Sequence, residues 1–386
     1  MSIRNITTTL ALCLLAALDA QAKIENFHDE AVFGKNVFIF SPQDDMKAVG
    51  AEVEKIHTQM FREQFGKGRY AILFLPGDYR EAGVLKVPYY VHMAGLGRTP
   101  YNVKVSNIYT PAPLKNDNVT CTFWRSLENL SVIGPESYEE DETFLWAVSQ
   151  AAPIRRVYSE RTVKNQWRHG WVSGGFTADC IFMAPAGSDG QQQWYTRNTH
   201  LEKGRGKFRE GSWNFMFQGV ELGAGADIAT YVNNWESGGN ITFIPTTPVI
   251  REKPFLFVDE HGKYKVFRPA LRRNAFGISY SRTDMGEGEI FDLKKDFYVA
   301  KPGDTAAEIN CRLAAGKHIL FQPGFYELEV PLHITRPNTI VMGLGWTTLI
   351  PGAGNPESAL IIDDLDGVNV ASLLFDAHYS SKTLVR

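Results

Sequence analysis

A long-range internal duplication constrains this chain more than any other feature of its sequence. Phe74-Leu75-Pro76-Gly77-Asp78-Tyr79 recurs as Phe321-Gln322-Pro323-Gly324-Phe325-Tyr326, an offset of 247 residues. Downstream, Met93-Ala94-Gly95-Leu96-Gly97 matches Val341-Met342-Gly343-Leu344-Gly345 at an offset of 248. Upstream, Val37 to Pro42 matches Tyr298 to Pro302, and a helical stretch follows each, Met46 to Met60 and Ala306 to Ala315. Three blocks in one order mark a repeated structural unit.

A short strand, a helix, Phe-x-Pro-Gly-x-Tyr, another strand and Gly-x-Gly describe how a parallel β-helix begins. The helix covers the open end, so the first strands present no bare edge. Pro-Gly is a turn dipeptide, and the Gly-Leu-Gly segments let the backbone bend from one face of a coil to the next. A dinucleotide-binding loop would need a third glycine and a following helix, and neither copy has them.

Between the copies, short apolar runs alternate with turn residues, as at Leu127 to Gly134, Asp179 to Met183 and Trp213 to Val220. Each suits one face of a coil whose inward residues stack into a continuous core. A β-sandwich also gives short strands, but it would show steady hairpin signals. One hairpin is clear: Phe255 to Val258, a turn over Asp259 to Gly262, then Tyr264 to Phe267. The expected fold is all-β, a right-handed parallel β-helix in two tandem lobes. The divisions are a leader over 1–22, a first lobe over 23–250, a connection over 251–296 and a second lobe over 297–386. A full second copy would need about 170 further residues. The chain is therefore expected to be a truncated or fragmentary two-lobed protein, or to carry a short appended module.

The first residues read as a secretory signal: Arg4, the apolar run Leu10 to Leu18, then Ala20-Gln21-Ala22 for cleavage. Secretion follows as the expectation, with no membrane attachment once the leader is removed. A net charge of -3 offers no basic stripe for nucleic acid. No cofactor motif is present, and a monomer is expected. After leader removal three cysteines remain, and Cys121 with Cys180 is the pair to test for a disulfide. Asn118, Asn129 and Asn240 head N-glycosylation sequons.

Chemistry is hard to locate. Gln191-Gln192-Gln193-Trp194-Tyr195-Thr196-Arg197-Asn198, with Trp213-Asn214, groups amides and aromatics that suit hydroxyls and pyranose faces. On a regular strand Gln191, Gln193 and Tyr195 share one face. A stacked amide ladder inside the coil is the structural alternative. Arg125 and Glu128 are expected to form a structural ion pair, and Arg155-Arg156 and Arg251-Glu252-Lys253-Pro254 to be surface or interlobe charges. Asp179 and Asp376 each flank an apolar strand, at what would be the lip of a groove.

Taken in order, these segments, with Phe123 to Leu130, Trp146 to Pro153, Ser173-Gly174-Gly175-Phe176 and Thr247 to Pro254, resemble secreted pectate-lyase-like β-helix proteins. Some of these carry an adenylyl cyclase label, which fits poorly with a chain lacking a phosphate loop. The group is similar to the family 55 glycoside hydrolases, which have two β-helix lobes and cleave β-1,3-glucan from chain ends with inversion. The resemblance implies an extracellular polysaccharide as partner and a groove between lobes. It implies Gln193 and Gln191 as residues that position water or bind substrate, while the chemistry of the segment itself makes Trp194, Tyr195, Asn198, Trp213 and Asn214 the candidates for substrate contact. The general acid of that family lies in the second lobe, and no residue here is assigned to it. The alternatives are a non-catalytic polysaccharide-binding β-helix protein and a polysaccharide lyase.

Overall fold

The protein is described by a computed structural model covering residues 27–110, 118–137, 139, 141–168, 170–187, 191–204, 214–237 and 239–386. Residues 1–22, expected to be a leader, and Trp213 lie outside the described residues.

Strands Val37–Phe40, Tyr70–Phe74, Val91–Gly95, Arg125–Val132, Pro153–Ser159, Phe176–Ala178, Gln193–Arg197, Asn214–Gln218 and Ile241–Ile244 stack in that order, every pair parallel. Adjacent strands in space are thus successive coils of a solenoid, which is the parallel β-helix expected from the repeat. Register fixes what each face presents. Ile72, Met93, Leu127, Ile154, Thr177, Thr196 and Phe217 form one inward row, all buried. One residue further along, Ala94, Glu128, Arg155, Ala178, Arg197 and Gln218 form an outward row.

The bend after that row is a ladder of left-handed residues: Asn129 (φ 53), Arg156 (φ 51), Asp179 (φ 56), Asn198 (φ 45) and Gly219 (φ 59). A left-handed backbone costs roughly 1 kcal/mol or more for a residue with a Cβ, so these positions need compensating bonds. Asn129 supplies them by donating from Nδ2 to Gly95 O (3.0 Å) and Gly97 O (2.7 Å). Gly95 must be glycine there, because a Cβ would sit 2.1 Å from Asn129 O.

The helix Met46–Met60 caps the first lobe, burying Val49, Val53, Ile56 and Met60, with Asp45 accepting from Lys47 N and Ala48 N at its start. In the second lobe, Ala306–Ala314 opens on a capping box between Thr305 and Glu308. The repeated motif explains itself here. Tyr79 donates to Phe40 O and Leu75 O, both at 2.8 Å, and Tyr326 donates to Ala300 O (2.9 Å) and Gln322 O (3.1 Å). In each lobe the buried phenol ties the first strand to the turn after the second.

Between the lobes, Phe255–Val258 and Tyr264–Pro269 pair antiparallel, and Gly288–Asp292 adds a third strand that the sequence did not suggest. The lobes share an apolar core, in which Val37, Leu73, Ala94 and Leu96 meet Leu256, Phe297, Leu320, Met342 and Leu344. Arg69 Nε donates to Thr348 Oγ1 (3.0 Å) and Gln322 Nε2 to Val32 O (2.9 Å) across the same seam. Among the described residues no helix is long and apolar enough to cross a membrane.

Four expectations are corrected. Cys121 and Cys180 are both free. Cys180 is sealed in the bend after Phe176–Ala178, its thiol donating to Ala178 O (3.2 Å), while Cys121 lies in the turn that accepts the Tyr89 hydroxyl. Asn129 is buried with its amide engaged as above, so it offers no glycan acceptor; Asn118 and Asn240 are half-buried. Arg125 does not reach Glu128: their side chains leave opposite faces of one strand, and Arg125 turns inward to donate to Val87 O (2.8 Å). Asp179 is buried, paired with Arg156 (3.3 Å) and accepting from Ser279 N and Oγ at 2.6 Å each, which is structural bonding rather than a groove lip.

Candidate functional site

Two concave regions lie on the outer face of the first lobe's sheet. The first is a groove of about 290 Å³ over the strands Gln193–Arg197 and Asn214–Gln218. Register sets Gln193 directly beside Asn214, and Tyr195 between Phe176 and Met216. Gln193 is exposed and Tyr195 and Asn214 are half-buried, so three polar side chains point outward along one edge. Gln150 closes the rim, its amide donating to Ser173 Oγ (3.1 Å). Gly175 makes room beneath the sheet for the Trp194 ring, from which a Cβ there would lie 2.0 Å, and a Cβ at Gly174 would lie 3.0 Å from Gln150 Cγ. The Tyr195 hydroxyl donates to Gln218 Oε1 (2.5 Å), which holds the ring's position on the sheet.

The other predicted site residues divide from this group. Trp194 is buried and faces the core, supporting the groove from beneath while its indole donates to Thr177 Oγ1 (3.3 Å). Asn198 is buried in the left-handed bend and accepts from Thr247 Oγ1 (2.8 Å). Gln191 does not share the face of Gln193 and Tyr195. Its strand begins only at Gln193, and the bend before it turns Gln191 inward. There it is fully buried, donating to Asn165 O (2.9 Å). Gln191 therefore takes the structural role and Gln193 the exposed one.

The second region is a cleft of about 360 Å³ between the lobes. Its first-lobe wall carries His92, Arg155 and Arg197 from the outward rows, and its second-lobe wall is Trp346 and the strand Asn369–Phe375. The segment Arg251-Glu252-Lys253-Pro254 lies between them. Lys253 Nζ is 2.6 Å from Glu128 Oε2, and His92 Nε2 is 3.0 Å from the same oxygen. Burial opposes ionisation of Glu128, but Lys253 and His92 together hold its carboxyl well below the usual range. Glu252 Oε2 receives Arg197 (2.5 Å) and lies 3.9 Å from Arg155. Burial pushes the Glu252 carboxyl upward, with Asp179 adding to it. Read from sequence alone, Arg155 and Arg251-Glu252-Lys253 are surface or interlobe charges and Glu128 pairs with Arg125; the Glu128–Lys253 pair joins residues 125 apart and is not visible in local pattern.

A two-lobed parallel β-solenoid with a polar groove on its outer sheet face defines the class: residues 297–386 match the model of the LAM55 pectate lyase-like domain. The chain is homologous to the family 55 glycoside hydrolases. It is 40% identical over 355 residues to the exo-β-1,3-glucanase of Streptomyces sp. (strain SirexAA-E / ActE), covering 91% of this chain and 54% of that protein. The solved structure of sacteLam55A from Streptomyces sp. SirexAA-E superposes with a TM-score of 0.81 at 39% identity, over 92% of this chain and 60% of that one. A variant of sacteLam55A solved in complex with glucose aligns equally well, covering 61% of that chain. The chain thus spans a little over half the length of these relatives.

Proposed function

We propose that this protein is secreted and acts on β-1,3-glucan as an inverting glycoside hydrolase, or as part of one, with sugar lying along the groove at Gln193 and Asn214. The observation that carries this reading is the placement of Gln193. It is the exposed amide of its strand, in register with Asn214, in a groove that Gln150 also lines. Inversion requires a water held on the face of the sugar opposite the leaving group. An amide suits that task, because it accepts from the water through one atom and donates through another. Tyr195, fixed by Gln218, offers a ring edge to the same sugar.

A non-catalytic binding role has one observation in its favour. Among the described residues the groove lining holds no carboxylate, and the nearby cleft carboxylates Glu128 and Glu252 are both committed to cations. The test is to incubate the purified protein with laminarin and follow the products by proton NMR. Release of α-glucose supports the inverting hydrolase. Saturable binding without cleavage supports the binding role. Neither binding nor cleavage, with activity on polygalacturonate instead, contradicts both.

A further inference from the structure

The outer sheet of the first lobe ends on the strand Ile241–Ile244, which among the described residues pairs only with Asn214–Gln218. In a parallel ladder the N–H groups of alternate residues point to opposite sides of the strand. Phe215 N donates to Asn240 O (2.8 Å) and Gly219 N to Ile244 O (2.9 Å), which fixes the paired side. The N–H groups of Ile241 and Phe243 therefore point beyond the last coil, to where a next strand would lie. Ile-Thr-Phe-Ile is a strongly pairing strand composition, and an edge of this kind with free donors is a template for another chain.

Both donors are taken by side chains. Ile241 N donates to Asn234 Oδ1 (2.7 Å) and Phe243 N donates to Asn233 Oδ1 (2.6 Å). Asn234 N returns a long bond to Ile241 O (3.4 Å). Two consecutive asparagines thus stand in for the backbone of an absent strand. The segment that carries them is held from within. Tyr231 is buried, its ring edge-on to Phe217 at 4.8 Å. Ser237 N, Ser237 Oγ and Gly239 N all donate to Asn234 O, at 3.2, 2.9 and 2.8 Å. On the solvent side the segment leaves Ile228 and Val232 exposed.

We infer that residues 227–237 are an edge plug, which keeps this strand from pairing with the same strand of a second copy of the chain. A second copy is the partner the edge fits, because the edge is complementary to itself. Two such strands meet antiparallel about a twofold axis, each offering the donors and acceptors that the other lacks. Asn233 and Asn234 occupy the positions that such a contact needs.

The inference does not depend on sugar chemistry, so its test uses no glucan. Hydrogen–deuterium exchange of the strand and sedimentation velocity over a concentration series are measured on the whole chain. In Asn233→Ala/Asn234→Ala, exchange at Ile241 and Phe243 is expected to quicken at least about tenfold, and self-association to strengthen by a similar factor relative to wild type. Asn233→Asp/Asn234→Asp keeps an acceptor oxygen at each position and is expected to behave as wild type in both measurements. The single alanine variants, each leaving one bond in place, keep the test decisive should the double variant fail to fold: Asn234→Ala is expected to free Ile241 alone and Asn233→Ala to free Phe243 alone. Unchanged exchange in the alanine variants, faster exchange without stronger self-association in the double variant, or an aspartate variant that associates like the alanine one would overturn the assignment.

Discussion

Lys253 Nζ lies 2.6 Å from Glu128 Oε2, joining the connecting segment to the outward row of the first lobe across 125 residues. Both side chains are almost wholly buried, and His92 shares the carboxylate. Removing one member of such a pair leaves the other charge desolvated, which costs about 3–5 kcal/mol. Lys253→Met should therefore destabilise strongly in urea titrations. The double variant Glu128→Gln with Lys253→Met should recover much of the loss. Independent, additive effects would show that the pair is not coupled.

The same carboxylate gives a pH dependence. Its folded pKa is depressed below the ordinary 4.5, so it stabilises the fold above that pH. The contribution is lost as pH falls through the depressed folded value. Glu128→Gln should flatten the acid limb of the stability curve, measured by urea unfolding from pH 5 downward.

Two histidines act at higher pH. Burial, chiefly, pushes His57 and His318 from 6.5 down to about 4, and His318 Nδ1 accepts from Ile340 N. Both stay neutral in the fold while the unfolded chain takes up protons. Stability from this source is therefore complete above about pH 6.5 and declines toward pH 4, by up to about 1.4 kcal/mol per pH unit for each ring. His57→Leu should reduce that slope in the same unfolding series, and an unchanged slope would remove His57 from the account.

The duplicated tyrosines should be equivalent in energy. Tyr79→Phe and Tyr326→Phe each strip a donor from two buried carbonyls, at an expected cost of about 1–3 kcal/mol. Gly77→Ala and Gly324→Ala should also destabilise, because a Cβ would press on the Pro42 and Pro302 rings at 2.4 and 2.6 Å. Thermal denaturation of the four variants tests whether the motif performs the same task in both lobes.

How much of this could be read from residues alone follows from distance along the chain. The capping helices, the Pro-Gly turns, the hairpin after Phe255 and the alternation in Gln193 to Arg197 depend on local pattern, and all were legible. What failed depended on the bends. Gln191 was placed beside Gln193 on the assumption of one unbroken strand, whereas a bend intervenes. Asn129 and Asp179 read as a sequon and a groove carboxylate because nothing local reveals that both occupy left-handed corners with committed side chains. Arg125 with Glu128 looked like a pair by proximity, although alternation along a strand sends them to opposite faces. The cleft was invisible for a different reason: its charges come from several coils and both lobes, and only the register unites them.

The claim that the groove at Gln193 and Asn214 receives β-1,3-glucan is tested most directly by titrating laminaritriose into the wild type, Gln193→Ala and Asn214→Ala. Saturable binding by the wild type is predicted, weakened about two- to tenfold in each variant, the range expected for one net hydrogen bond, with melting temperatures unchanged. Wild-type affinity in both variants would contradict the placement of the substrate in this groove.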